Sequence, residues 1–279
     1  MANEAVPVVY AHGSKLARKR DSDAGLEPIV QAYRRWRDES LAVGARDEAG
    51  IHKLVGLLNT YKDTVEPVLD GRLNSAQEVL VSSILEEFFE YLFVNVDSAV
   101  GETLPVRYPE KGFLELAFHP KSIRSLVRSP EYTIKTKDHD FVLGGAATLS
   151  IQSKVSEAVT KEEIVIPAVA LECKRYLERN MLDECAGTAS RVKRATPYCL
   201  YVVVAEYLKM DESSPELTEI DEIYVLRKQR NSDRATTDFV PKPIDGGLVV
   251  DLYGMIIRHL RRIWWDPASA LTTGKLFNF

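Results

Sequence analysis

The chain has 279 residues, 45% hydrophobic and 28% charged, with a net charge of -5. That length supports one large domain or two small ones, and the composition is that of an ordinary globular protein in water. The acidic balance excludes a uniformly basic, histone-like surface and leaves room for a locally basic face. Cys173, Cys185 and Cys199 are odd in number and contain no CxxC pair, which excludes a disulfide framework and the usual zinc spacings. Free thiols suit a reducing compartment. The opening stretch MANEAVPVVYAHGSKLARKR has no apolar core of signal-peptide length. No run approaches the ~20 residues of a membrane-spanning helix. A cytoplasmic protein without membrane contact is expected.

In chain order, residues 1–25 read as irregular and polar. A charged helix is expected from about Glu27 to Leu41, with Tyr33 and Trp36 on one side and Arg34, Arg35 and Arg37 on a surface face. A second helix over 51–69 should stop near Pro67. The strongest helical pattern is LNSAQEVLVSSILEEFFEYLFVN. Asn74 or Ser75 caps it, with Glu78 completing a capping box, and Leu80, Ile84, Leu85, Phe88, Phe89 and Leu92 recur at helical spacing. Lys121, Arg124 and Arg128 then stand at i, i+3 and i+7, one basic face of a short helix ended by Pro130. EYTIKTKDHDFVLGG alternates as a strand, Gly144-Gly145 reads as a turn, and 146–155 as a further strand. The charged loop SEAVTKEE leads into the apolar run IVIPAVALECKRYL. A helix is expected from about Asn180 to Ala195. YCLYVVVAEYL is apolar enough for a strand buried on both faces. IDEIYVLR is another strand, and a last helix starts near Val250. The order predicts a mixed sheet flanked by helices, α/β in class.

The chemistry concentrates at the end of the apolar run. Glu172 and Lys174 are two apart, so alternation sends both to one side of a strand, while Cys173 turns into the core. Glu172-Cys173-Lys174 is the one D/E-x-K triplet in the sequence. The preceding strand carries Asp140, followed by apolar Phe141, Val142 and Leu143. Asp138 shares the face of Asp140 by alternation and remains an alternative. His139, between them, reads as an exposed neighbour without a catalytic role. Two carboxylates at neighbouring strand ends bracket a hard divalent cation such as Mg2+, with the Cys173 backbone carbonyl available to complete its shell. Lys174 can position a water or stabilise charge developing on a phosphate. A structural reading, in which the pair is a surface ion pair of little energetic weight, competes on spacing alone.

An acid, a spacer and then acid-x-Lys on the next strand is the arrangement of the PD-(D/E)xK nucleases. The segment ECKRYLERNMLDECAGTASRVKRATPYCLYVVVAEYL more closely resembles the BbvCI-like Type II restriction endonucleases. The matching residues are Glu172, Lys174, Tyr176, Met181 to Glu184, Gly187 to Ala189, Lys193, and Pro197-Tyr198 leading into Val202 to Glu206. DHDFVLGG fits as well. The resemblance is dense over about 130–210 and only general from 75 to 130 and after 220. It implies a restriction-endonuclease-like core over 73–279; nothing in 1–70 resembles the family, and the helices expected there make 1–72 a helical N-terminal region. The resemblance also implies Mg2+-dependent hydrolysis of double-stranded DNA leaving a 5′-phosphate. One active site per subunit would cut one strand beside a second nuclease subunit, identical or different. The family often carries an acid on a preceding helix; Glu86 is the better match and Glu87 its rival. A repair or mobile-element nuclease, or a non-catalytic DNA-binding partner subunit, are the competing functions.

Candidate phosphate contacts are Lys121, Arg124 and Arg128, with Lys193 and Arg194 beyond the motif. Residues 225–238 read equally as a groove-reading loop or a solvated hairpin. Trp264-Trp265 reads as core or subunit interface.

Overall fold

The computed structural model describes residues 10–21, 23–70, 75–155, 159–210, 212–236, 238–262 and 267–275. Helices α1 (Ala11–Arg20), α2 (Glu27–Leu41), α3 (Glu48–Asp70), α4 (Ser75–Leu92) and α5 (Val96–Val100) come first. Strand β1 (Val106–Phe118), helix α6 (Ile123–Arg128), and strands β2 (Tyr132–Gln152) and β3 (Val159–Leu177) come next. Helix α7 (Arg179–Ala195), strands β4 (Leu200–Leu208) and β5 (Glu222–Val225), and helices α8 (Gly246–Arg261) and α9 (Pro267–Thr273) complete the fold.

The sheet order is β1-β2-β3-β4-β5. The β1–β2 and β2–β3 pairs are antiparallel, and β3–β4 and β4–β5 are parallel. Helices cover both faces, as the mixed α/β pattern predicts. One face packs Phe141, Leu143, Val169, Leu171, Cys173, Val202 and Val204 against α3, α4 and α8 in a core that continues through Trp36 to Leu16. The other packs Ala170, Tyr201, Val203 and Ala205 against Leu182, Cys185, Ala189 and Val192 of α7. β4 is therefore buried on both sides, and its unbroken apolar run suits that position.

Several expectations change. Residues 11–20 form a helix rather than irregular chain. α3 continues through Pro67, which stands only three residues from its end, where few bonds remain to be lost. β1 carries no clean alternation, so no periodic signal marks it in the sequence. Gly144-Gly145 is not a turn: β2 runs through it as one strand with a bulge between Leu143 and Gly144. A Cβ on Gly144 would lie 2.3 Å from the Ile166 carbonyl oxygen, so only glycine permits this approach. Near it the first half of β3 comes back to β1 and to the start of β2. Gly112 pairs with Val165, and the Tyr132 hydroxyl donates to Glu162 Oε1 at 3.0 Å. β3 starts at Val159, inside the expected charged loop. α8 starts four residues before Val250, with Asp245 accepting from the Leu248 N–H as its cap. The capping expected of Asn74, Ser75 and Glu78, and the Trp264-Trp265 pair, lie outside the described residues.

Candidate active site

β2 and β3 pair from Gln152↔Val159 down to Phe141↔Leu171. Beyond that register their next residues, Asp140 and Glu172, meet over the α7 face. Asp140 Oδ2 accepts the Cys173 backbone N–H at 2.7 Å. Lys174 Nζ sits 3.3 Å from Glu172 Oε2 and 3.7 Å from Asp140 Oδ2. The structure thus brings Asp140, Glu172 and Lys174 to one point. Asp138 stays exposed, opposite Lys111 in the β1–β2 ladder. Cys173 puts its thiol in the α3–α4–α8 core and its backbone in the ladder beside Val204.

The electrostatics of the three groups differ. Burial raises the Asp140 carboxyl to about 6, and the neighbouring Glu172 charge adds to that. Burial also acts on Glu172, but the hydrogen bond from His139 and the Lys174 charge outweigh it and hold Glu172 below its ordinary value. Burial opposes the charge on Lys174, yet the two carboxylates more than compensate and hold the ammonium protonated well above its usual range. One carboxyl reluctant to ionise, one ionised and one fixed cation form a pair of acids sharing a single positive charge. Such a point suits a hard divalent cation with oxygen ligands. Asp140, Glu172 and the Cys173 carbonyl are the residues that could hold one, although no group of three or more His, Cys, Asp or Glu side chains surrounds a single point among the described residues.

Glu86 and Glu87 divide their tasks. Glu86 of α4 is nearly buried, and its charge is among those that raise Asp140. Glu87 faces the other way, accepting from the Gly13 N–H at 2.8 Å and from the Tyr91 hydroxyl. Burial raises the Glu87 carboxyl despite these donors. With Glu90, which accepts from the Ala11 N–H at 3.4 Å, it satisfies the free amides at the start of α1.

Two residues near the acids depart from the sequence reading. Lys15 of α1, in a stretch expected to be irregular, donates to Glu86 Oε2 at 2.7 Å. His139 is buried, not exposed, and its Nδ1 lies 3.1 Å from Glu172 Oε1. The reason is a bulge: Tyr108↔Val142 is succeeded by Glu110↔His139, so two residues of β2 face one of β1. The extra residue breaks the alternation that would send His139 away from Asp140. The one β1 residue within the bulge is Pro109, which has no N–H to give the ladder.

The basic residues lie apart from the acids. Lys121, Arg124 and Arg128 sit at the tip of the β1–β2 hairpin, whose β2 strand starts eight residues before Asp140, roughly 27 Å at strand rise. Lys193 is 2.6 Å from Asp221 at the N-terminal ends of β4 and β5, with Arg194 beside it. Arg34 and Arg35 are exposed, as expected of a surface face. Within residues 225–236, Val225 ends β5, a short 3-10 turn spans Asn231–Ala235, and one of the basic side chains is enclosed rather than solvated. Arg227 is buried, with Nε 2.8 Å from Glu206 Oε2 and a terminal nitrogen 3.5 Å from Glu66 Oε1. Lys62 closes the group at 2.7 Å from Glu206 and 2.6 Å from Glu66. Asn231, Arg234, Phe239 and Lys62 line a cavity of about 860 Å³ beside this group, away from the acids.

The helix-flanked mixed sheet, with a helical N-terminus, is a restriction-endonuclease fold, and the chain is a Type II site-specific deoxyribonuclease. It belongs to the Bpu10I restriction endonuclease family, whose model matches residues 77–239, more than half of the sequence, with Glu86, Asp140 and Glu172 among them. Among solved structures the fold is similar to a chain described as "native BbvCI A2B2 tetramer at low resolution". The TM-score is 0.72 at 21% identity, covering 90% of this chain and 95% of that one. No curated protein matches the sequence.

Proposed function

We propose that the chain is one nuclease subunit that hydrolyses a single strand of double-stranded DNA at a specific sequence, using Mg2+ and leaving a 5′-phosphate. The observation that carries this reading is the convergence of Asp140 and Glu172 on Lys174 at 3.7 and 3.3 Å. Asp140, Glu172 and the Cys173 carbonyl would hold the cation. When bound, Mg2+ supplies charge neutralisation at the scissile phosphate and a more acidic water. Lys174, held protonated by the two acids, serves as a fixed cation facing the phosphate as negative charge builds on it, rather than as a base. Glu86, on the α4 side, orients the attacking water. The low exposure of Glu172 and Glu86 keeps bulk water from their carboxylates.

In this reading residues 73–279 carry catalysis, and the helical region 1–72 supports α4. Lys121, Arg124 and Arg128 on the projecting hairpin contact the DNA backbone away from the cut. Lys193, which holds Asp221 in this structure, contacts phosphate on exchanging that partner. A second nuclease subunit supplies the cut in the other strand. The A2B2 description of the structural neighbour favours a different chain in that role. The protein works in the cytoplasm, where the DNA it cuts is found.

The test is digestion of methylation-free plasmid DNA with Mg2+, with and without a co-expressed neighbouring subunit, and then sequencing of the ends. Nicked circles from a complex carrying Glu172→Gln, and linear product from the intact complex, are expected. Linear product from this chain alone removes the requirement for a different partner. No cleavage under any pairing removes the reading.

A further inference from the structure

His139 is the one buried imidazole among the described residues in contact with the proposed site. Its ring is enclosed between Tyr201, at 6.1 Å between centroids and edge-on, and Gly112. A Cβ on Gly112 would come within 3.0 Å of the ring's Cδ2 and Nε2, so the absence of a side chain there makes the space for it. Nε2 has no hydrogen-bond partner among the described residues. A buried nitrogen without a partner carries a desolvation cost that an apolar residue of similar shape would avoid. The bulge at Asp140–Phe141 likewise interrupts the regular ladder at the residue next to the ring. Both departures serve a single contact, Nδ1 to Glu172 Oε1.

That contact has a defined direction. An ionised carboxylate only accepts, so Nδ1 carries the proton and donates it. The bond occupies Oε1 and leaves Oε2, which faces Lys174 and Asp140. It fixes the rotation of the carboxylate about its last torsion, the degree of freedom that decides whether one oxygen faces a shared cation or both splay away. Groups bonded to a ligand in this way commonly govern metal affinity about 10–100-fold.

We propose that His139 is a positioning residue that locks Glu172 with Oε2 toward the divalent cation. This rests on Glu172 being a metal ligand. The experiment measures Mn2+ binding to the full-length, DNA-free protein by calorimetry, alongside the Mg2+ concentration giving half-maximal cleavage by the complex. His139→Phe keeps the ring volume and removes the donor. His139→Asn places an amide N–H near the position of Nδ1, and His139→Gln near that of Nε2. The expected result is Mn2+ affinity about 10-fold or more weaker in H139F and within about 3-fold of wild type in H139N. The Mg2+ midpoint should move in parallel, with the maximal rate recovered at high Mg2+. A folded H139F that binds Mn2+ as wild type does, or an H139N as weak as H139F, overturns the proposal. Should H139F not fold, the Asn and Gln variants decide: equal affinities overturn it, and a weaker Gln variant supports it. Glu172→Gln separates the two levels of inference. Undiminished Mn2+ binding in E172Q defeats the metal-site reading itself. Lost binding in E172Q with unchanged H139F defeats only the role of His139.

Discussion

Lowering the pH from 7 to 5 should loosen the N-terminal helix through one imidazole, that of His12. The ring is wholly enclosed by α2, α3 and α4, with Nδ1 2.9 Å from Ser83 Oγ and Nε2 2.7 Å from the Tyr61 hydroxyl. Tyr33 and Trp36 pack edge-on against it, and Glu87 and Glu90 lie on the neighbouring turns of α4. Burial first, and then the charges of Lys62 and Lys15, lower its pKa to about 3. In the unfolded chain the imidazole takes a proton as the pH falls through its ordinary value of 6.5; in the folded protein it does not until about 3. Stability contributed by the neutral ring is therefore complete above 6.5 and lost as the pH falls below it. At ~1.4 kcal/mol per unit, the loss between pH 7 and pH 5 is about 2 kcal/mol. The assay is urea denaturation monitored by tryptophan fluorescence at both pH values, on wild type and His12→Gln. Other titrating groups are common to both proteins and cancel in the difference. Wild type should lose about 2 kcal/mol more than the variant over this interval. Equal losses in the two proteins would refute the burial argument.

Three further outcomes are expected. Glu172→Gln and Lys174→Ala should each reduce single-turnover cleavage by at least ~10²-fold, in protein that circular dichroism shows to be folded. Lys62→Met leaves Glu206 and Glu66 with Arg227 as their one remaining cation in the buried group. It should cost about 3–5 kcal/mol in urea denaturation, and a loss under about 1 kcal/mol would mean that the cluster is not held dry. Gly144→Ala drives a methyl group against the Ile166 carbonyl, a backbone contact that no rotamer relieves. It should cost about 1–3 kcal/mol and lower the melting temperature.

Regular periodicity is the part of the fold that the sequence makes legible. The apolar spacing of α4 and the two-sided burial of β4 are simple consequences of 3.6- and two-residue repeats, and the structure has both. Alternation also brings Glu172 and Lys174 to one face with Cys173 on the other, as found. His139 escapes alternation because the bulge between Tyr108 and Glu110 adds a residue to β2 and suspends the two-residue repeat at the one place where it matters. Gly144-Gly145 reads as a turn because the pair permits one, yet here it accommodates a bulge within a continuous strand. α1 has no apolar stripe of its own; Leu16 is its one large buried aliphatic side chain. Its position is set by carboxylates some 70 residues away, a long-range polar contact that no local pattern announces. The same holds for Arg227, which reads as part of a basic loop and is neutralised by Glu206 and Glu66.

The arrangement of α4 has a consequence for anyone who recombines this protein with its relatives. Glu86 pairs with Lys15, while Glu87 and Glu90, on the same helix, hold the first amides of α1. A chimaera that joins residues 73–279 to a foreign helical leader keeps the Tyr91 hydroxyl on Glu87 but loses the Gly13 and Ala11 amides that Glu87 and Glu90 accept from α1. Each enclosed carboxylate would then be short of one donor, at a cost borne by the same helix that carries Glu86. Residues 11–20 are, in that sense, part of what must travel with α4, and a crossover placed between α3 and α4 would separate groups that satisfy one another.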